Sequence, residues 1–362
     1  MMHYRLEACR SERCDVIVER GVLKHVGTRL RDSYPESKRA VIVTDRHVRA
    51  LYADQLAKSI TSSGFLCDIL DVPAGELSKS LKSAVSLWEQ LTDLNFRRRD
   101  LIVALGGGVI TDLAGFVAAT YMRSVPYTNV PTTLLAQLDA AIGGKVAVNH
   151  ERAKNLIGFF NHPLLVCIDP DVLRTLPVKE IRQGLAEAIK VAVVASPQLF
   201  EFIEQQAQAL LAGDLDTLTE VVVMAVVAKI RLVSQDPYEK QLQRVLNFGH
   251  AIGHAIESLL AYRGIMHGDA IAIGMSIATR IACTRGVCDR RTADRILGLM
   301  NRVGLPVCAP DLSPSQVCEA LSVVRAIRNG RIHLVMPSGI GNCAFTDDLS
   351  RADLEHYLVG EA

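Results

Sequence analysis

The sequence predicts an α/β chain: a mainly parallel sheet with crossover helices in the first half, followed by a helical second half. Three observations predict it. Short β-branched runs alternate with helical patterns up to about Pro170, glycine-rich turns punctuate them, and from about Leu176 the character changes to long amphipathic or wholly apolar stretches. With 362 residues and 49% hydrophobic content, the chain can bury a large core and divide into two domains of ordinary size, expected at 1–175 and 176–362.

The expected strands are AVIVTD (40–45), CDILDVP (67–73), LIVALGGG (101–108), YTNVPTT (127–133) and LLVCIDP (164–170). Turn chemistry falls between them at PAGE (73–76), GGG (106–108) and GG (143–144). In the second half EIRQGLAEAIKVAVVA and LDTLTEVVVMAVVAKIRLVSQD read as helices. RIHLVMP (331–337), after the Asn329-Gly330 turn, is the strand-like exception and reads as part of a hairpin.

Forty Lys and Arg stand against 39 Asp and Glu, so no overall field attracts nucleic acid or an anionic membrane, and a small-molecule partner is expected. The first residues, MMHYRLEACRSERCDV, carry charge every few positions, unlike a signal peptide, and no run of about 18 apolar residues follows. A cytoplasmic location is expected. Nine cysteines without a C-x-x-C pair read as reduced, mostly buried thiols.

Three groups of residues carry chemistry. IVALGGGVITDLAGFVAA (102–119) reads as strand, glycine turn and helix, which puts Gly107, Gly108 and the following amides where a pyrophosphate would lie. Thr111 occupies the third glycine position of G-x-G-x-x-G, so glycines packed in a tight turn remain the alternative. Asp45, closing AVIVTD, stands where a carboxylate could take ribose hydroxyls.

NFGHAIGHAIE (247–257) sets His250 and His254 four apart on one helix face, with Gly249 and Gly253 allowing close backbone approach, and His267 follows in MHGDAIAIGM. Neutral imidazoles are the commonest ligands of zinc-like cations, and a catalytic site needs three protein ligands with positions left open. GLAEAIK (184–190) offers Glu187 as the third ligand, with Lys190 one turn later on an otherwise apolar helix. The alternative is a set of core and capping histidines with Glu187 in a plain salt bridge. In PTTLLAQLDAAIGGKVAVNHERAKNLIG (131–158), Thr132, Thr133, Asp139, Lys145, Lys154 and Asn155 lie among glycines and apolar residues. Two lysines and an amide there point to a bound phosphate, to which Arg123 could add a guanidinium. Each of these residues taken singly could equally be a solvated surface group.

PAGELSK, GGGVITD, VPTTLLA, LDAAIGGK, KNLIG, RTLP, GLAEAIK, LNFGHAIGHAIE and MHGDAIAIGM stand in the order and spacing of one family. The chain resembles 3-dehydroquinate synthase and the wider sugar-phosphate cyclases from about Ala40 to about Glu257 and on through the His267 motif. The resemblance implies a Rossmann-like NAD-binding domain, an α-helical metal-binding domain and an active site between them, a dehydroquinate synthase-like fold. It implies Glu187, His250 and His267 as ligands of zinc or cobalt. NAD contacts carry over to Asp45, Glu76, Lys79, Gly107, Gly108, Asp112, Thr132, Thr133, Lys154 and Thr175. Substrate contacts carry over to Asp139, Lys145, Asn155, Lys190, Lys229, Asn247 and His254, and Arg123 to an arginine donated across a homodimer interface. The implied activity is that of a carbon–oxygen lyase acting on a phosphorylated sugar. Transient oxidation, loss of phosphate, reduction and an intramolecular aldol closure leave NAD unchanged overall.

Two departures bear on the substrate. Gln243 replaces the arginine with which dehydroquinate synthases hold the substrate carboxylate, with Arg244 one step further on; an amide cannot make the bidentate charged contact. The family's D-K-K segment is replaced by Val324, Arg325 and Ala326, where Arg325 could stand in for a phosphate-binding lysine. These departures favour a carboxylate-free heptulose phosphate such as sedoheptulose 7-phosphate. Lys229, Asn247 and the GGK and KNLIG motifs fit 3-dehydroquinate synthesis from 3-deoxy-arabino-heptulosonate 7-phosphate, and DPYEK (236–240) is faintly similar to 2-deoxy-scyllo-inosose synthase. A metal-dependent polyol dehydrogenase and a non-catalytic binding protein are the competing classes.

Overall fold

The near-continuous apolar runs of the first half reflect strands covered on both faces. In chain order the strands there are β1 (Asp15–Val18), β2 (Arg39–Asp45), β3 (Leu66–Val72), β4 (Leu101–Gly106), β5 (Tyr127–Pro131), β6 (Lys145–His150), β7 (Ala153–Phe160) and β8 (Leu165–Ile168). Six of them form a parallel sheet in the order β1-β8-β5-β4-β2-β3. Along β2, Ala40 and Ile42 pack on one face with Leu56 and Ile60, while Val41 and Val43 pack on the other with Leu87 and Leu113. The covering helices of the first half are α1 (Val26–Ser33), α2 (Arg46–Val48), α3 (Asp54–Ser62), α4 (Leu81–Asp93) and α5 (Gly108–Thr120). The computed structural model describes residues 13–151, 153–240, 244–260, 264–309, 312–327 and 332–358.

The strand order sets a switch point. From β2 the chain runs outward to β3, and from β4 it runs the opposite way to β5, so a crevice opens beyond the carboxyl ends of β2 and β4. Asp45 ends β2, and Gly107 and Gly108 follow β4 at that crevice.

The second half contains α6 (Val178–Ala195), α7 (Pro197–Leu211), α8 (Leu215–Val233), α9 (His250–Leu259), α10 (His267–Thr284), α11 (Arg290–Arg302), α12 (Pro314–Ile327) and α13 (Arg351–Tyr357). Helix α6 is buried almost throughout from Gln183 to Val194, which is why EIRQGLAEAIKVAVVA is apolar nearly all round. No helix among the described residues is long and apolar enough to cross a membrane.

Two features differ from the sequence expectation. Strand β1 and the antiparallel pair β6–β7 were not expected. The β6 segment KVAVNH buries alternate residues, Val146 and Val148, and shows the others, a half-buried pattern set among charges. In the C-terminal hairpin, β9 (Leu334–Gly339) pairs with β10 (Asn342–Thr346), which follows it, through a turn at Ile340-Gly341 with Gly341 at φ 87°. Asn329 and Gly330 lie outside the described residues.

Candidate active site

The glycine turn is shaped by what it touches. A Cβ on Gly107 would stand 3.1 Å from Thr133 Cγ2, and one on Gly108 3.3 Å from Ala140 Cβ, so side chains there would fill the space in front of the first turn of α5. Backbone amides at that helix N-terminus suit an anion. Around it, Thr132 is buried with Oγ1 making no hydrogen bond, and Thr133 Oγ1 accepts from Ala136 N at 3.2 Å. Asp45 caps α2, accepting from the amides of His47 and Val48 at 2.9 and 3.0 Å. The buried Lys79 ammonium bridges Asp112 and Asn155, while Thr175 Oγ1 meets Tyr52 Oη at 2.5 Å. Burial pushes the Asp112 carboxyl above the ordinary carboxylate value against the pull of Lys79.

Across the crevice, α6, α9 and α10 bring Glu187, His250 and His267 together, each with one ligand atom within 4.8 Å of the others'. Glu187 is fully buried; its Oε2 is in contact with the Lys190 ammonium, while its Oε1 accepts no hydrogen bond. Nε2 of His250 and of His267 stand 3.6 and 3.5 Å from Glu187 Oε1, too far for hydrogen bonds. They match the separation of two ligand atoms held tetrahedrally about 2.1 Å from one ion, roughly 3.4 Å. The far nitrogens are oriented as metal-bound imidazoles require: His250 Nδ1 is 3.2 Å from the Phe248 carbonyl and His267 Nδ1 is 3.1 Å from Glu257 Oε1. Facing oxygen acceptors, each Nδ1 donates, which directs both Nε2 atoms at the cluster, where His267 becomes a ligand on losing its Nε2 proton. The residues therefore fit a divalent cation of zinc type with open positions.

Electrostatics tighten the cluster. Burial alone would raise Glu187, but Lys190 and His267 together hold it well below the carboxylate range. Burial, Lys190 and the neighbouring histidines push His250 far down. Lys190 contacts Glu187 directly and lies 3.6 Å from Asp139 Oδ2, while Lys229 meets both the side chain and the carbonyl of Asp139. Burial opposes the charge on Asp139, yet the two lysines hold it below its ordinary value. Asp139 sits in a single π-helical turn, Ala136–Ala140, of the kind that recurs at functional sites.

The remaining candidates divide between these places rather than forming one phosphate cluster. Lys154 joins Glu257 at 3.0 Å and Glu76 at 3.7 Å. Lys145 pairs with Glu239, which also binds Arg244 through its carboxylate and its carbonyl oxygen. Asn247 ends the short turn before His250, and His254 stacks edge-on against His250 with centroids 5.1 Å apart. Arg123 is exposed in a turn where Met122, Arg123 and Ser124 all have positive φ, and among the described residues no hydrogen bond or ion pair ties it to the cluster. Gln243 lies outside the described residues, as do the side chains of Val324, Arg325 and Ala326. Sequence reasoning gave no role to Glu257 or Glu239; the i+7 spacing of Glu257 from His250 was the available signal for the first.

Fold and site together define an enzyme with a dinucleotide-type crevice facing a cation cluster. The model of the 3-dehydroquinate synthase N-terminal region matches residues 69–183 and that of its C-terminal region residues 184–325. A 2-epi-valiolone synthase from Stigmatella aurantiaca is 42% identical over 97% of this chain and 89% of its own. A 3-dehydroquinate synthase from Desulforamulus reducens is 40% identical over 94% of each chain. The solved structure of ValA, a 2-epi-5-epi-valiolone synthase from Streptomyces hygroscopicus subsp. jinggangensis 5008 with NAD+ and Zn2+ bound, matches with a TM-score of 0.91. Its identity is 31% and the match covers 98% of both chains. The chain belongs to the 3-dehydroquinate synthase family of sugar-phosphate cyclases.

Proposed function

We propose that this chain is an NAD- and divalent-metal-dependent cyclase that converts sedoheptulose 7-phosphate, a heptulose phosphate without a carboxylate, to a carbocycle with release of phosphate. Glu187, His250 and His267 hold the cation, zinc or cobalt, and the crevice residues from Asp45 to Thr133, with Lys154, hold the dinucleotide. When bound, NAD supplies a reversible hydride acceptor and the cation a Lewis acid for a hydroxyl. The chain's own groups do the rest. Lys190 and Lys229, both buried, meet the Asp139 carboxylate and form a platform, its second positive charge offset by Glu187, that orients hydroxyls beside the cation cluster. His254, reaching from the same helix face as His250, completes the wall on the substrate side. Lys145, paired with Glu239, and Asn155, held by Lys79, are assigned to the substrate through the family resemblance, at separate places rather than in one phosphate cluster.

One observation carries the preference for a substrate without a carboxylate. Next to Gln243 in the sequence, Arg244 is the cation available as a substitute, and Glu239 already holds its guanidinium. A substrate carboxylate would have to displace that internal one. The two valiolone-type relatives support the same substrate class. Purified protein with NAD and Zn2+ or Co2+ is expected to release phosphate from sedoheptulose 7-phosphate without net NADH. Release from only 3-deoxy-arabino-heptulosonate 7-phosphate would return the assignment to 3-dehydroquinate synthase; steady NADH from a simple alcohol would make it a dehydrogenase. We also propose a homodimer, because Arg123 is exposed and makes no hydrogen bond or ion pair among the described residues; a monomer by light scattering sinks that assignment.

A further inference from the structure

Glu257 is almost fully buried, in the seventh position after His250 on the inner face of α9. Its Oε1 accepts from two donors that come from opposite halves of the chain. One is His267 Nδ1 at 3.1 Å, from the first residue of α10. The other is Lys154 Nζ at 3.0 Å, from β7 of the hairpin that packs on the sheet domain. Lys154 in turn stands 3.7 Å from Glu76, which accepts a hydrogen bond from Asn149 Nδ2 at 2.8 Å. Glu257 Oε2 makes no hydrogen bond and lies 3.9 Å from His254 Nε2. One carboxylate thus touches a cation ligand, a lysine of the crevice and the histidine on the substrate side.

The chemistry of that arrangement is specific. A carboxylate at Nδ1 fixes the tautomer of His267, turns the ring and strengthens Nε2 as a donor to a metal. The same oxygen holds Lys154 in place, and loss of either donor leaves a buried anion under-compensated. Ordering Lys154 against a bound dinucleotide therefore orders Glu257, and Glu257 orders His267. We propose that Glu257 is a positioning residue that makes dinucleotide binding and cation binding cooperative, through Lys154 on one side and His267 on the other. This rests on the assignment of Lys154 to the nucleotide and of Glu187, His250 and His267 to the cation.

The test uses metal-free protein of the full chain, with zinc affinity read by competition with a chromogenic chelator in the presence and absence of NAD. In the wild type, saturating NAD is expected to tighten zinc about fivefold or more, and zinc to tighten NAD by the same factor, as linkage requires. Glu257→Gln keeps the shape and one acceptor but removes the charge. It is expected to weaken zinc about ten- to hundredfold and to bring the coupling factor close to one. Lys154→Met, which leaves His267 and its partner intact, is expected to lose the coupling while keeping most of the zinc affinity. Cobalt absorption spectra of each variant report whether the ligand geometry is retained. Unchanged zinc affinity in Glu257→Gln, or an unchanged coupling factor in both variants, overturns the proposal. A wild type that binds neither zinc nor NAD overturns the site assignment and the proposal with it.

Discussion

Lys190 lies one helical turn after Glu187, and its ammonium closes on the Glu187 carboxylate with both side chains sealed from solvent, at 2% and 0% exposure. Such a pair holds only while both charges remain. Lys190 has a second anion, Asp139 at 3.6 Å, but Asp139 is already in contact with Lys229. Two buried ammonium groups would then share one carboxylate.

Glu187→Gln is therefore expected to destabilise the cation-free protein by about 3–5 kcal/mol, because it strands charge rather than merely removing a ligand. Thermal unfolding of the metal-free variant against metal-free wild type measures this directly. Equal midpoints would mean that Lys190 gives up its proton or reaches water, and the buried-pair account fails.

The imidazole of His267 gives a pH dependence with two opposite slopes. Burial pulls its pKa down, but Glu187 and Glu257 outweigh burial and raise it to about 9 in the cation-free protein. A histidine raised on folding stabilises the native state fully below its ordinary value near 6.5 and loses that contribution as pH climbs through 9. Cation-free protein is expected to lose stability across that interval. Cation binding needs Nε2 unprotonated, so affinity is expected to rise over the same interval, with about one proton released per ion near neutral pH. Calorimetry in buffers of different ionisation enthalpy counts that proton; a count of zero contradicts the protonated state.

What the sequence revealed and what it hid follow the range of the contacts. AVIVTD and LIVALGGG were legible because burial on both faces leaves an uninterrupted apolar run, as β2 and β4 show. Glu187, His250 and His267 were legible as a candidate set because each residue type is costly to bury without a partner and two of them fall on glycine-flanked helix starts. Glu257 was hidden: its contact with Lys154 spans 103 positions, and no local pattern shows which lysine meets which carboxylate. The same holds for Glu239, whose partners Lys145 and Arg244 lie on either side of it in sequence at very different distances. The grouping of Lys145, Lys154 and Asn155 into one cluster came from proximity along the chain, and the β6–β7 hairpin turns these side chains toward separate partners.

The convergence of the histidines depends on how closely α9 and α10 cross. A Cβ on Gly274 would stand 2.1 Å from the carbonyl oxygen of Gly249 and 3.0 Å from the amide nitrogen of Gly253. Both obstacles are backbone and cannot rotate away. Gly249 itself has φ 78°, and a Cβ there would come within 2.6 Å of the Ile271 carbonyl oxygen. The two helices are thus in backbone contact, and each begins with a proposed ligand, His250 and His267, with ring centroids 5.8 Å apart. Gly274→Ala must push α10 off α9 and open the cluster. The expected result is a destabilisation of about 1–3 kcal/mol from overpacking, together with weakened zinc binding by chelator competition. Gly298→Ala supplies the control, because it lies inside α11 with nothing within 4 Å of the added Cβ. That substitution is expected to stabilise the protein by about 0.4–1 kcal/mol through a less flexible unfolded chain, and to leave zinc affinity unchanged. If Gly274→Ala bound zinc as tightly as wild type while Gly298→Ala behaved as expected, the close crossing would not be what holds His250 and His267 together.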